Sequence, residues 1–291
     1  MLKDCPTNAL HTFQVRTLRS RGYHTRVVLS NKSHKRPELR TDYRVDVSVY
    51  NAGKGRTRLV EDLGTLVADS RLVIDCAPFD VGAVDSVLVF HMVPTRHVGH
   101  ATADVDRAEL MFLASVQDHF VEYYRDDGCS AGVLYQTGPF NHPKLSPKST
   151  TLIQAPKFYV SSTVDGMLSI INASADPTYE RVARLRLTLV GDGIRTSWVE
   201  DIQPFVPRLI SVREQLKRAG AAIGTAPRFY CLYGLCENAT AIPLTILVND
   251  ETGAMGIEHS LSPDYYSETM HGPARMRLME RLGMSSLFEA R

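Results

Sequence analysis

Several things are scarce in this chain, and each scarcity removes a class of protein. Cysteine occurs five times, at positions 5, 76, 129, 231 and 236, an odd and sparse set that does not make a disulfide framework. Cys231 and Cys236 stand five apart, so on a strand they point to opposite faces and read as core thiols rather than a bridge or a shared metal site. Trp198 is the single tryptophan, little material for a broad sugar-stacking surface. The longest apolar stretches, such as Val87-Leu88-Val89-Phe90, fall far short of a membrane span. The opening Met1-Leu2-Lys3-Asp4-Cys5-Pro6 has no apolar run after its lysine and does not read as a secretory signal. The expected location is cytoplasmic, with export and peripheral membrane association left open.

Charge of one sign is scarce as well. The net charge is +1, which gives no general attraction to nucleic acid. The distribution is uneven: residues 1–50 hold ten Lys/Arg against four Asp/Glu, and residues 61–130 hold four against thirteen. That polarity makes Arg16, Arg19, Arg21 and Arg26 candidates for contact with another chain. Catalytic signatures are missing too: there is no G-x-S-x-G, no phosphate-binding glycine loop, no H-E-x-x-H and no C-x-x-C. Gly53-Lys54-Gly55 falls where a hairpin turn is expected.

What is present is alternation. Thr12 to Leu18 places Phe13 and Val15 on one face, and 25–29, 43–50, 70–75 and 86–93 continue the strand pattern. Further strands are expected at 157–161, 166–171, 183–190, 229–233 and 244–248. Short strands separated by turn residues, with no βαβ alternation, point to antiparallel sandwiches or barrels. Two helices are expected: Pro207 to Ala219, with Leu209, Val212 and Leu216 on one stripe, and Pro273 to Leu282, with Met276, Met279 and Leu282 at helical spacing. A methionine-bearing stripe suits an adaptable contact surface, so these three residues join the interface candidates.

The chain also repeats itself. Asp118-His119 leads to Glu122-Tyr123-Tyr124, and Glu258-His259 leads to Asp264-Tyr265-Tyr266. Asn51-Ala52-Gly53 is answered by Asn172-Ala173-Ser174, and Pro78-Phe79 by Pro204-Phe205. A length of 291 residues accommodates two domains, each able to bury its own core. The expectation is therefore an all-β protein of two tandem immunoglobulin-like antiparallel β-sandwich domains, 1–125 and 126–270, with a short C-terminal helix in 271–291. The strand spacing is similar to immunoglobulin-like and fibronectin-like sandwiches in general, although the Cys…Trp…Cys signature of antibody domains is absent.

Two constellations carry chemistry. His91, His97 and His100, with a carboxylate such as Asp118, would suit a zinc or iron site with an open position for water, and hence a metal-dependent enzyme. The paired acid-His and acid-Tyr-Tyr segments admit a structural reading, in which tyrosine hydroxyls cap backbone carbonyls. They also admit a proton-transfer dyad, or an aromatic platform for a carbohydrate-binding module. A dyad kept in both halves favours structure over catalysis. The leading expectation is a non-catalytic interaction or assembly subunit without a cofactor, binding a protein partner or itself.

Overall fold

The computed structural model describes residues 11–32, 41–51, 55–80, 82–99, 119–135, 151–153, 157–174, 176–239, 241–259 and 264–265. The fold is all-β. The first eight strands are β1 (His11–Arg16), β2 (His24–Ser30), β3 (Tyr43–Asn51), β4 (Gly55–Leu66), β5 (Arg71–Asp75), β6 (Ser86–Pro94), β7 (His119–Tyr124) and β8 (Ser130–Tyr135). They form two four-stranded antiparallel sheets in the orders β1-β6-β3-β4 and β5-β2-β7-β8.

The remaining strands are β9 (Thr151–Ile153), β10 (Lys157–Val160), β11 (Val164–Ile171), β12 (Ala183–Gly191), β13 (Ile194–Ile202), β14 (Arg208–Ser211), β15 (Arg228–Glu237), β16 (Ile242–Asn249), β17 (Met255–His259) and β18 (Asp264–Tyr265). One sheet runs β14-β11-β16-β17, and the other runs β13-β12-β15 with β10 and β9 both pairing β15 and β18 beyond β9. Setting β9 and β18 aside, each strand number of the second pattern is that of the first plus nine. The pairing scheme occurs twice.

The register identifies the matching residues. Asn31, just after β2, donates its side-chain amide to the carbonyls of Thr41 and Leu66 at 2.9 and 3.2 Å. Asn172, just after β11, does the same to Arg181 and Ile202 at 2.8 and 3.0 Å. Both are buried, and each amide binds two carbonyls, one on a half-buried residue (Thr41, Arg181) and one on a buried residue (Leu66, Ile202), so the loop into the next hairpin is fixed by one side chain. This corrects the landmarks expected from sequence. Asn51 ends β3, whereas Asn172 follows β11, the counterpart of β2. Phe79 follows β5 and Phe205 follows β13, the counterpart of β4. His119 opens β7, while His259 closes β17, the counterpart of β8. Past residue 125, β8 pairs with β7 along its whole length, from His119 opposite Tyr135 to Tyr124 opposite Ser130, and so belongs to the sheet β5-β2-β7-β8.

The helix expected from Pro207 is shorter. Leu209 and Ile210 lie in β14, opposite Ser169 and Leu168, and the helix α1 spans Val212–Arg218. Ser211 caps it by accepting from the Glu214 backbone N–H at 3.0 Å. The helix expected at Pro273–Leu282 lies outside the described residues. Among the described residues no helix is long and apolar enough to cross a membrane.

Each unit has its own core between its two sheets. Phe13, Val15, Val27, Val47, Phe90 and Val121 fill the first, and Phe158, Leu168, Leu185, Leu187, Ile210 and Leu232 the second. Each such side chain, once buried, contributes about 1.5–3 kcal/mol. The cores are not separate beads. Met167, Leu244, Ile246 and Val248 join the first core, and Tyr50, Val87 and Val89 join the second. Tyr50 stacks on Phe205 with ring centroids 3.9 Å apart. All nine residues of β6 are buried, so the sheet β1-β6-β3-β4 is covered on both faces. β13, at the far edge of the second unit, alternates between half-buried and exposed.

The covered face of β1-β6-β3-β4 is rich in polar side chains: Thr12, Gln14, Arg16, Asp46, Ser48 and His91 are all buried. The charged ones are held by specific partners. Arg16 pairs with Asp85, whose carboxylate also accepts from the Ser20 N–H at 2.9 Å and its hydroxyl at 2.8 Å. Asp46 accepts from the Asp62 N–H at 2.8 Å and from Arg44 Nη2 at 2.9 Å, which pins the bulge between Val45 and Val47.

Candidate interaction face

The pleat decides what the sheet β5-β2-β7-β8 presents outward. His119, Val121 and Tyr123 point inward on β7, leaving Phe120, Glu122 and Tyr124 outward. In register, Val28 lies beside Val73 and beside Phe120, and Phe120 lies beside Leu134. Four large apolar side chains therefore form a row across all four strands on the face turned away from the core. Val73 is 60% exposed and Leu134 48%, while Val28 and Phe120 are half-buried. A groove of about 370 Å³ runs along the row, lined by Val28, Ser30, Arg71, Phe120 and Leu134.

Gly132 shapes this groove. A Cβ there would collide with the Phe120 ring, so the absence of a side chain lets the ring lie flat on β8. Polar groups close one end. Arg26 Nη1 binds Glu122 Oε2 at 3.0 Å and its guanidinium sits 4.7 Å from the Tyr124 ring centroid. The Tyr124 hydroxyl donates to Asp75 Oδ2 at 3.4 Å, and burial, then the Asp75 charge, push its phenol upward. His24 stacks on Tyr124 at 5.2 Å and contacts Arg19 Nη1 at 2.9 Å. Arg19 also pairs with Asp80 at 3.2 Å. Burial raises the Asp80 carboxyl, with Arg19 pulling it the other way.

The inward residues of the same strands do structural work. β1 is an edge strand whose outer carbonyls have no ladder partner. Tyr123 Oη donates to the Arg16 carbonyl at 2.9 Å, and Tyr135 Oη donates to the Gln14 carbonyl at 2.8 Å. His119 accepts the Ser30 N–H at 3.1 Å through Nδ1 and lies 4.8 Å from the Phe13 ring.

The other sequence candidates are dispersed. His91 is fully buried mid-strand, its Nε2 3.0 Å from Ser48 Oγ, while His97 lies in a surface turn, accepting from Arg96 Nε at 3.1 Å. His100 and Asp118 lie outside the described residues. Among the described residues no group of three or more His, Cys, Asp or Glu is placed to hold a metal ion. Glu258 and His259 are exposed at the end of β17. Asp264 and Tyr265 form β18 against β9. Tyr266, Met276, Met279 and Leu282 are outside the described residues. Arg16 is buried against Asp85 and not free to meet another chain, Arg26 and Arg19 belong to the polar cluster around Tyr124 and His24, and Arg21 is exposed. The four residues of the apolar row were not among the candidates.

No family model matches the chain, and no curated protein does. Among solved structures it is similar to a glycosyl hydrolase family 2 member from Bacteroides cellulosilyticus, at 7% identity over 87% of this chain with a TM-score of 0.16. The chain spans 27% of that hydrolase. It is also similar to the VP2 subviral particle of infectious bursal disease virus, at 10% identity over 94% of this chain and 76% of that one, with a TM-score of 0.18. The Gx strain structure of the same virus gives 8% identity, the same coverage and the same TM-score.

Proposed function

We propose that this chain is a non-catalytic interaction subunit built of two tandem immunoglobulin-like sandwiches, and that it docks another protein through the outer face of β5-β2-β7-β8. The apolar row Val73-Val28-Phe120-Leu134 carries this reading. A solvated sheet face ordinarily alternates to polar side chains, and four large apolar residues side by side lose water favourably only when something covers them. The rim of Arg26, Glu122, Tyr124 and Arg71 supplies the polar border that protein interfaces have around an apolar centre. What supports the immunoglobulin-like reading is the pairing of β2 with β5 and of β3 with β6, as strands B with E and C with F pair in that fold. β1 and β7 depart from it, since β1 borders β6 where the last strand would stand and β7 borders β2 where the first would.

The test is a photo-crosslinking amino acid at position 134, with position 217 on the exposed side of α1 as control. A single crosslinked partner chain at 134 and none at 217 is the expected result. Equal, diffuse crosslinking at both positions would remove the face from the account.

A further inference from the structure

We infer that the occupant of this face is a second copy of the same chain, added head to tail. Resting on the docking role just proposed, the inference names the partner and the surface it brings: the outer face of β13-β12-β15-β10. The first argument is that the chain already contains one junction of this kind. In the second unit the residues matching Val73, Val28, Phe120 and Leu134 are Leu209, Ser169, Leu244 and His259, placed by the Asn31–Asn172 correspondence and the strand registers. There the row is covered except at its end, with Ser169 and Leu244 buried and His259 exposed on β17. Leu244 is buried within the first unit's core cluster and Leu209 packs against it. The sheet of the first unit that loses its outer face is β1-β6-β3-β4, whose Ser48 and His91 are fully buried. A sheet of one kind is covered while a sheet of the other kind is covered too, within one polypeptide.

The two kinds of face that this junction consumes are also the two that the molecule leaves over. The first unit keeps the outer face of β5-β2-β7-β8, and the second keeps that of β13-β12-β15-β10. Of the seven exposed large hydrophobic residues among those described, Val73 and Leu134 are on the first and Tyr159, Val199 and Phe229 are on the second. At one position the second face repeats a hydroxyl that the internal junction buries. Tyr43 and Ala183 match, being opposite the carbonyl-bearing Leu66 and Ile202, so Thr188 stands where Ser48 does. Beside them Tyr233 stands where Val89 does. Each copy thus carries one face of each kind, the arrangement that yields a heterologous contact and an open stack or ring rather than a closed two-fold dimer.

The experiment uses the full chain with two single variants, Leu134→Glu for one face and Val199→Glu for the other, each compared with wild type by sedimentation velocity over a concentration series. Both positions are exposed, and an unchanged thermal midpoint confirms folding; Val73→Glu and Phe229→Glu replace either variant that fails it. Wild type is expected to associate progressively, each variant alone to lose association by about tenfold or more, the effect of a charge at an interface centre. The equimolar mixture is expected to form a dimer and nothing larger, because one intact face of each kind remains. A Val199→Glu protein that still dimerises alone would overturn the head-to-tail arrangement in favour of a two-fold pairing of the first face. A wild type that stays monomeric while position 134 captures a different protein overturns this inference and leaves the docking role intact; a monomer with no capture at 134 ends both.

Discussion

Phe120 and Leu244 hold matching places on β7 and β16, yet Phe120 lies half-buried on an open face and Leu244 is sealed at 1% exposure in the neighbouring unit's core. One position in a repeated fold has thus been put to two uses. The strand pairing is indifferent to what covers the outer face, so the same scaffold serves as internal joint in one unit and as open surface in the other.

If Asn31 and Asn172 are the true landmarks of the repeat, both should be costly to remove, Asn172 somewhat more because it also accepts from the Tyr179 hydroxyl at 3.0 Å. Each amide holds one buried and one half-buried carbonyl, so Asn→Ala at either site should destabilise by about 1–3 kcal/mol, the cost of orphaning a buried acceptor. Urea unfolding of the two variants measures it. A near-neutral result at one site only would break the correspondence.

Tyrosine ionisation sets an alkaline limit. Burial raises Tyr123 and Tyr135, and pushes Tyr43 up to about 12, while an unfolded tyrosine ionises near pH 10. Above that pH the unfolded chain releases protons that the folded chain retains, so stability is fully present below about pH 10 and falls as pH rises beyond it, by up to about 1.4 kcal/mol per unit for each such tyrosine. Tyr135→Phe should lower stability at pH 8 by about 1 kcal/mol and flatten the decline above pH 10. Denaturant titrations from pH 8 to 12 check both the loss and the slope.

The Arg16–Asp85 pair is buried on both sides, and breaking it leaves an uncompensated charge. Asp85→Ala should cost about 3–5 kcal/mol, whereas replacing both partners by apolar residues of similar volume should cost much less. A double-variant cycle by chemical denaturation reads the difference; equal losses for the single and double variants would show that the pair's value lies in packing alone.

Gly132 offers a way to disturb the face without adding charge. Gly132→Ala should displace the Phe120 ring and weaken association at the face, while the strand itself, gaining a better β-former, changes stability by less than about 1 kcal/mol. Binding and thermal melts on the same sample separate the two effects.

Much of the fold was legible because half-buried strands alternate. β1, β2, β3, β6 and β12 stand where the period-two pattern puts them. β4 escaped notice because Arg56, Arg58, Glu61 and Asp62 break the pattern in a strand that is bulged twice. Pro207 suggested a helix start, but the informative signal was Ser211 followed by Glu214, a capping pair that begins the helix at Val212 instead. The repeat was sensed through resemblances that the strand pairing does not join, since the residues that match, Asn31 and Asn172, have dissimilar neighbours. The apolar row did leave a trace. Val28, Val73 and Leu134 are each the middle of an apolar triplet, in Val27-Val28-Leu29, Leu72-Val73-Ile74 and Val133-Leu134-Tyr135, where a solvated face should have placed a polar residue. Strand partners are non-local, so nothing in the sequence said that the three stood side by side.

Hydrogen exchange measured against protein concentration tests the central claim most directly. Strands β5 and β8 carry the two exposed residues of the apolar row, Val73 and Leu134, so covering that face should slow exchange of their amides. The account predicts that their protection rises with concentration, together with that of β13, while the core strands β6 and β11 stay constant. Unchanged exchange in β5 and β8 at every concentration, with association nonetheless seen in solution, would place the contact elsewhere and contradict the account.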